Sequence, residues 1–351
     1  MLEETVRYNI LYIAPLPPGG TCLQRMRALE ELGHKVIPLS ARLDPKQYSF
    51  YHRVRTRIFG PADLTKINQR VLTAINKETF DLIWIDKGIY ILPETLKKIK
   101  RATRSLLIHH NTDDFRYASF IFRHYIKSIP LYDIHFTSNK FNIPEMYGLG
   151  ARKVCFSEIG YDHHLCRPVK VLDDGYKADL SFSGHWEPAT ENYIVALIKA
   201  GLSVSVRGAD WYKARNKKIL KSVFKSGPLC EEEYVKAICS GKIGLGIVSK
   251  WNRNMTAGRI FDIPACGVFL LAVRNPLMQD IYKEGVEAEF FSSAEELIQK
   301  TRFYLENEEE RKKIALAGHN RCVSSKYSWK DRVEEMLVEI NNLIQQRNNE
   351  R

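Results

Sequence analysis

Short apolar runs alternate with amphipathic helical patterns along the whole chain, and this alternation restricts the fold more than any other feature of the sequence. Buried strands joined by helices are typical of parallel α/β sheets. Candidate strands lie near 8–14, 34–39, 81–86, 105–109, 132–137, 153–157, 178–183, 203–207, 242–248, 268–272 and 288–291. Candidate helices include 22–32, 62–77, 93–101, 293–306, 308–318 and 329–346. The predicted fold class is therefore α/β.

A chain of 351 residues is longer than one hydrophobic core usually supports. The segment 160–177 contains Pro168 and Gly175 and interrupts the alternation, so it predicts a domain boundary. We expect one domain at 1–165, a second at 176–328, and a C-terminal helix at 329–351 that could pack back on the first domain. Two such domains in tandem predict a ligand between them, at the carboxyl ends of strands.

Charge and composition narrow the range of partners. The formal net charge of +12 favours contact with polyanions. Basic residues cluster with aromatic ones between Arg42 and Arg57, and a second basic cluster lies between Lys97 and Arg104. An anionic membrane surface or a phosphorylated acceptor fits these clusters, although solvated helix faces explain the second one equally well. Nucleic acid is not an expected partner, because no recognised nucleic-acid-binding module is visible.

Location is indicated by what the sequence lacks. No apolar run approaches the ~18 residues of a membrane-spanning helix, and the acidic start has no apolar signal segment. The seven cysteines form no Cys-x-x-Cys pair, which favours reduced thiols over disulfides or a zinc site. We expect a cytoplasmic protein, with peripheral contact at the inner face of the membrane as an option.

One motif near the end of the second domain indicates phosphate chemistry. Residues 252–267 read as a polar loop, a helix that begins at Thr256 and a stop at Gly267, followed by a buried strand. Spacing of three places Arg259 and Asp262 on one helix face, near an end whose free N–H groups favour anions. A guanidinium for phosphate and a carboxylate for a ribose diol suit a nucleoside diphosphate. A surface ion pair is the alternative explanation.

Other loops of the second domain support this interpretation. Gly184-His185 and Arg207-Gly208 follow candidate strands, and Arg207 could reach a phosphate. Lys250 and Arg253 precede the Arg259 motif, so all three cations should reach one edge of the ligand site, opposite Arg207. Trp211 could be a wall for base stacking or ordinary core packing.

The first domain offers a second set of polar loops. The turn at Gly19-Gly20 is not a dinucleotide fingerprint, and Ser40 occupies the place of a ribose-binding acid, which disfavours an oxidoreductase. His110, Asp113 and Asp114 follow the strand at 105–109 and suit a general base or a sugar-hydroxyl site. Helix capping by the aspartates is the alternative, and a metal site with His163 and His164 is disfavoured by the loose spacing.

These motifs together resemble the CgeB-like (spore-maturation type) glycosyltransferases, a bacterial family with GT-B architecture. The resemblance rests on 184–186, 206–211, 252–259 and 261–267, on 284–285, 290–291, 295–297 and 310–318, and on 111–115, 132–150 and 161–168. It departs from the family at Asp262, where Glu is usual, at Asn254, where Asp is expected, and at Thr112, which replaces a proline.

The resemblance implies two Rossmann-like parallel-sheet domains facing each other across a cleft. It also implies a metal-independent, hexosyltransferase-like enzyme with no permanent cofactor, which uses a nucleoside-diphosphate sugar as co-substrate and a hydroxyl of a glycan, cell-surface polymer or protein as acceptor. The expected donor-binding residues are Arg259, Asp262, Thr256, Arg207, Gly208, Gly184, His185, Lys250 and Arg253. The expected catalytic residues are Asp113, Asp114 and His110, with the acceptor near Gly19-Gly20 and Arg25.

Several questions stay open at this point. Asp113 or Asp114 would be the base of an inverting reaction, whereas a retaining reaction would need no enzymatic base. A sugar-nucleotide epimerase or hydrolase of the same fold is one alternative function. A non-catalytic surface or spore-assembly protein that keeps the fold is another.

Overall fold

A computed structural model describes residues 6–43, 49–117, 119–172, 174–250, 253 and 255–349. The chain divides into two compact units: unit 1 comprises Met1–Glu158 with Lys330–Arg351, and unit 2 comprises Ile159–Trp329. Each unit contains one six-stranded sheet in which all strand pairs are parallel, so the predicted α/β class is confirmed. Among the described residues, no helix combines the length and apolar character needed to cross a bilayer.

Unit 1 has the strand order β2-β1-β3-β4-β5-β6. Its strands are β1 (Asn9–Ala14), β2 (Lys35–Ser40), β3 (Leu82–Asp86), β4 (Leu106–Asn111), β5 (Ile134–Thr137) and β6 (Val154–Phe156). Its helices are α1 (Thr21–Glu31), α2 (Phe50–Phe59), α3 (Ile67–Lys77), α4 (Pro93–Ala102), α5 (Arg123–Ser128), α6 (Asn142–Gly148) and α14 (Trp329–Asn349), of which Trp329 belongs to unit 2. The central strands β3 and β4 are buried along their whole length, which explains their near-continuous apolar sequence.

The C-terminal helix α14 completes the core of unit 1. Its buried side chains Val333, Met336, Leu337 and Ile340 recur at the i, i+3, i+4, i+7 spacing of an amphipathic helix. Polar contacts tie the same helix to the rest of the unit: Tyr8 donates to Asn341, and the Lys153 ammonium lies 2.6 Å from the Glu339 carboxylate. Unit 1 is thus built from two separate stretches of sequence.

Unit 2 has the strand order β12-β11-β10-β7-β8-β9. Its strands are β7 (Ala178–Ser183), β8 (Val204–Arg207), β9 (Phe224–Ser226), β10 (Gly241–Gly246), β11 (Phe269–Val273) and β12 (Glu289–Phe291). Its helices are α7 (Pro188–Lys199), α8 (Lys217–Leu220), α9 (Glu231–Cys239), α10 (Arg259–Ala265), α11 (Pro276–Ile281), α12 (Ala294–Glu306) and α13 (Glu308–Ser324). The carboxyl ends of β7, β8 and β10 meet at one edge of this sheet, as in any parallel arrangement.

Two local expectations need correction. The segment 160–177 does not separate the units but belongs to unit 2, where the Trp329 N–H donates to the Tyr161 carbonyl at 2.9 Å. Helix α10 begins at Arg259 and not at Thr256, and it is short, with Pro264 near its end. Gly267 ends it as predicted, with a left-handed φ of 71°.

Candidate functional site

The loops after β7 and β8 touch each other so closely that both require glycine. The Gly184 N–H donates to the Arg207 carbonyl at 2.9 Å. Gly208 has φ of +140°, and a Cβ there would lie 1.9 Å from the Gly184 carbonyl oxygen. A Cβ on Gly184 would in turn lie 2.5 Å from the Arg259 guanidinium. The paired glycines therefore bring the backbone of two strand ends and one cation to a single point.

A cavity of about 190 Å³ opens beside these glycines. This volume is below the roughly 300–1,000 Å³ of a site that encloses a whole ligand, so it suits one part of a nucleotide sugar. Its lining consists of the β7 and β8 loops, a turn before α9 and one side chain of α9: Ser183, Gly184, His185, Arg207, Gly208, Ala209, Pro228, Leu229 and Tyr234.

Arg259 is the first residue of α10, and its guanidinium lies against Gly184, one of the residues that line this cavity. Its Nε donates to the Ser183 carbonyl at 3.4 Å, its Nη1 donates to the Ile247 carbonyl, and its Cζ lies 5.1 Å from the centre of the Phe182 ring. Burial lowers the pKa of Arg259 below its ordinary value, but an arginine remains cationic at neutral pH. The chain thus holds a positive charge against the Gly184 backbone.

Asp262 faces different partners from those of Arg259. Tyr234 donates its hydroxyl to one Asp262 oxygen at 2.8 Å, and the Cys166 thiol approaches the other at 3.5 Å. Among the described residues, no ion pair joins Asp262 to Arg259. The alternative of a simple i,i+3 surface ion pair is therefore wrong, and two oppositely charged groups stand side by side with separate supports.

Two further predicted residues, Arg207 and Trp211, lie at or just after the end of β8. The Arg207 side chain is buried, donates to the Ser205 hydroxyl and to the Gly175 carbonyl at 3.3 Å, and lies 4.4 Å from the centre of the Tyr176 ring. Trp211 is also buried and donates its indole N–H to the Gly184 carbonyl at 3.0 Å. Its role is therefore core packing and support of the Gly184 turn, not an open stacking wall.

Glu187 links the two loops that carry His185 and Lys250. The His185 Nε2 lies 3.0 Å from one Glu187 carboxylate oxygen, and the Lys250 backbone N–H donates to the other at 3.0 Å. Burial alone would raise the pKa of Glu187, but these hydrogen bonds and one with Ser249 hold it below its ordinary value. Glu187 is therefore a buried anion that fixes the positions of two strand-end loops.

The structure brings together only part of the predicted donor set. Gly184, His185, Arg207 and Gly208 line the cavity, with Arg259 against Gly184 and Asp262 against Tyr234. Lys250, Arg253 and Thr256 do not line it: the first two are exposed, and Thr256 is buried. The predicted departure at Asn254 lies outside the described residues, as does Asn252.

The pKa of Asp262 leads to a testable pH dependence. Burial raises it to about 6, although Tyr234, Cys166 and Arg259 act in the opposite direction. The folded protein therefore binds a proton more tightly than the unfolded chain, so Asp262 lowers stability as pH rises through 4 to 6. We expect Asp262→Asn to raise stability by about 2 to 3 kcal/mol at pH 8 and by about 1 kcal/mol at pH 4.5.

Thermal unfolding of both proteins across pH 4.5–8 measures this difference. Asp179→Asn is a suitable control, because Asp179 lies on the surface of the same unit beside Lys242. A Tm difference between the Asp262→Asn variant and wild type that is independent of pH would contradict a raised pKa.

In unit 1, Asp113 and Lys87 form the accessible polar pair at the carboxyl ends of β3 and β4. The Lys87 ammonium lies 2.9 Å from the Asp113 carboxylate, and each side chain is about one-third exposed, at 32% and 34%. Lys87 adopts a left-handed φ of 63°, which is uncommon for a non-glycine residue and is concentrated at functional sites. The attraction of Lys87 lowers the pKa of Asp113, so this carboxylate is a weak base.

His110 and Asp114 are not accessible in the same way. His110 is fully buried with its Nδ1 3.3 Å from Asp86, and burial followed by repulsion from Arg25 lowers its pKa to about 4. Asp114 is buried and accepts from the Arg116 N–H and the Asn142 amide, both at 2.9 Å. The predicted alternative of helix capping is not met, because Asp114 is followed by a turn and the next described helix begins at Arg123.

Arg25 is buried as well, so it does not face an acceptor as expected. Its Nε and Nη2 donate to one Asp86 oxygen at 3.0 and 2.9 Å, and Tyr12 donates to the same carboxylate. Burial alone would raise the pKa of Asp86, but Arg25, His110 and Tyr12 hold it well below its ordinary value. This cluster supports the β1 and β3 strand ends from inside the unit.

Sequence reasoning missed four residues of these sites. Asp86 ends a predicted strand and Lys87 directly follows it, and that position could have identified them. Tyr234 and Glu187 carry no comparable signal, because their partners Asp262 and Lys250 are remote in sequence.

Comparisons with known proteins concern the fold and the family of the chain. Residues 191–338 match the family described as "Glycosyl transferase-like". No curated protein matches the chain by sequence.

Solved structures match nearly the whole chain. HepE from Anabaena, in complex with UDP-glucose, aligns with a TM-score of 0.64 at 12% identity, covering 96% of this chain and 100% of that one. Sucrose-phosphate synthase from Thermosynechococcus elongatus aligns with a TM-score of 0.68 at 11% identity, again covering 96% and 100%. The α,α-trehalose 6-phosphate synthase from Burkholderia multivorans aligns with a TM-score of 0.62 at 13% identity, covering 97% and 100%. The chain thus has the GT-B fold, and the glycosyltransferase-like family match is limited to residues 191–338.

Proposed function

We propose that this protein is a glycosyltransferase that moves a sugar from a nucleoside-diphosphate donor to an acceptor hydroxyl. The observation that carries the proposal is that Arg259 and Asp262 each lie against a residue that lines the cavity, Arg259 against Gly184 and Asp262 against Tyr234. A cation and a carboxylate with separate hydrogen-bond partners can bind a diphosphate and a ribose diol at the same time.

The donor half of the reaction follows from these charges. Arg259 would stabilise the negative charge that develops on the leaving diphosphate, aided by the Gly184 and Gly208 backbone that approaches without a Cβ. Asp262 would accept hydrogen bonds from the ribose hydroxyls. Positive side chains can supply this stabilisation without a metal ion, so we propose a metal-independent reaction with no permanent cofactor.

The acceptor half is proposed for unit 1. Asp113 is the accessible carboxylate there, whereas His110 and Asp114 are buried. Because Lys87 lowers the pKa of Asp113, the pair suits orientation of sugar hydroxyls better than strong base catalysis. An acceptor that is a glycan, a cell-surface polymer or a protein fits this chemistry.

Two finer assignments belong to the same proposal. The motif resemblance in unit 2 supports membership of the CgeB-like group and transfer of a hexose. The solved complex of HepE with UDP-glucose makes a uridine donor the first one to test.

A thermal-shift screen with UDP, UDP-glucose, GDP and ADP tests donor binding. A nucleotide held at 100 times its Kd should stabilise the protein by about 2.7 kcal/mol. We expect the shift with a matching nucleotide to be lost in Arg259→Ala and kept in Arg302→Ala, whose side chain is exposed elsewhere in unit 2. No shift with any nucleotide, or an equal shift in Arg259→Ala, would reject the donor site.

A further inference from the structure

Helix α2 of unit 1 presents an apolar face to solvent. Phe50, Val54 and Ile58 recur at i, i+4 and i+8, and Tyr51 lies beside them on the same side of the helix. The exposed fractions are 73% for Phe50, 69% for Tyr51 and 56% for Ile58, with Phe59 at 63%. An ordinary surface helix would place such residues against the core and polar residues outside. We call these five residues the α2 apolar face.

The opposite side of α2 is the side attached to unit 1. Thr56 is buried there, half a turn away from Val54. The end of the helix is also anchored, because Arg123 donates to the Arg57 carbonyl at 3.4 Å and the His124 Nε2 lies 3.0 Å from the Pro61 carbonyl. The side of α2 that contains Thr56 contacts unit 1, so the apolar face on the other side points outward.

The charged residues of α2 are all arginines. Arg55 and Arg57 flank the α2 apolar face, Arg57 is exposed, and Arg53 belongs to the same helix in sequence. The sequence contains no aspartate or glutamate from 45 to 62. An outward apolar stripe with aromatic side chains and flanking arginines complements an anionic lipid surface, which takes apolar groups below the headgroups and cations at them.

We propose that α2 docks unit 1 on an anionic membrane surface. Phe50, Tyr51 and Ile58 enter the boundary between headgroups and acyl chains, and the flanking arginines contact lipid phosphates. The inference stands on α2 alone and does not depend on the proposed sugar transfer. If both hold, the acceptor is presented at a lipid surface.

Sedimentation of the full chain with vesicles tests the proposal. We expect binding to phosphatidylglycerol vesicles, a fall in binding as salt rises, and little binding to phosphatidylcholine vesicles. Phe50→Gln combined with Ile58→Gln should weaken binding about tenfold or more, and Arg57→Gln about fivefold. All three substituted side chains are exposed, so thermal unfolding of both variants should be unchanged and the nucleotide-induced shift retained.

Matched changes on other exposed sites serve as controls. Phe303→Gln with Leu316→Gln removes comparable apolar surface from unit 2, and Arg101→Gln removes a comparable charge from α4. Equal vesicle binding by wild type and the α2 variants would overturn the proposal. A dimer in wild type that the α2 variants convert to a monomer, without vesicle binding, would instead make this face a self-association surface and also overturn it. Capture by heparin or RNA but not by anionic vesicles would do the same.

Discussion

Arg259→Ala should lower turnover of the donor about 100-fold to 1,000-fold while leaving the protein folded. The guanidinium is the cation held against Gly184, and its loss removes positive charge where the leaving diphosphate gains negative charge. The side chain bonds to two backbone carbonyls, Ser183 and Ile247, which lie at strand ends and can turn to water when it is removed. The defect should therefore appear in kcat and in nucleotide affinity more than in Tm.

Substitutions that differ in charge and shape at position 259 make this prediction specific. Steady-state rates and nucleotide Kd would be measured for wild type, Arg259→Ala and Arg259→Lys, with Arg302→Ala as the control for loss of an arginine. Lysine keeps the charge but not the planar fork, so it should recover part of the rate. A wild-type rate in Arg259→Ala would show that the leaving group is stabilised elsewhere.

Arg25→Met should destabilise unit 1 by about 3 to 5 kcal/mol, because it leaves the Asp86 carboxylate buried and unpaired. Both side chains of the pair are almost completely buried, at 1% and 0% exposed. Methionine fills most of the space of the arginine stem, so loss of the charge partner dominates the effect. Urea denaturation followed by tryptophan fluorescence would measure it, since Trp84 lies beside Asp86.

A double variant separates the charge from the packing. Arg25→Met with Asp86→Asn removes both charges and keeps one side-chain oxygen, which can accept from Tyr12 or from Trp84, so it should recover part of the lost stability. Lys242→Met breaks an exposed ion pair in unit 2 and should leave the unfolding midpoint nearly unchanged. If the double variant is as unstable as Arg25→Met, lost packing and not an uncompensated charge is the cause.

Much of the fold could be predicted because most strands have a local apolar run in the sequence. The apolar run at 81–86 became β3 (Leu82–Asp86), and the helical pattern at 22–32 became α1 (Thr21–Glu31). Elements that lack a local signal were missed. β9 (Phe224–Ser226) is short and has no apolar run, and α2 has an apolar pattern directed away from the core. Hydrophobic periodicity shows that a helix has an apolar face, but it does not show whether that face packs against the core.

The candidate site was harder to predict because its supports are distant in sequence. Spacing alone placed Arg259 and Asp262 on one face of α10. It could not show that they form no direct ion pair, because the hydrogen-bond partners of Asp262 come from α9 and from Cys166, 28 and 96 residues away. His110 illustrates the reverse case. A histidine after a strand has the residue type of a catalytic base, and only the packing of Asp86 against it reveals a buried structural role.

The two-part construction of unit 1 has a consequence for the order in which the protein forms during synthesis. Unit 2 is continuous and ends at Trp329, the first residue of α14, so it is complete before the rest of α14 is translated. Unit 1 begins first in sequence but lacks Val333, Met336, Leu337 and Ile340 until the last helix leaves the ribosome. Unit 1 therefore cannot bury these side chains until α14 has been made, and the domain that starts first is the one that finishes last.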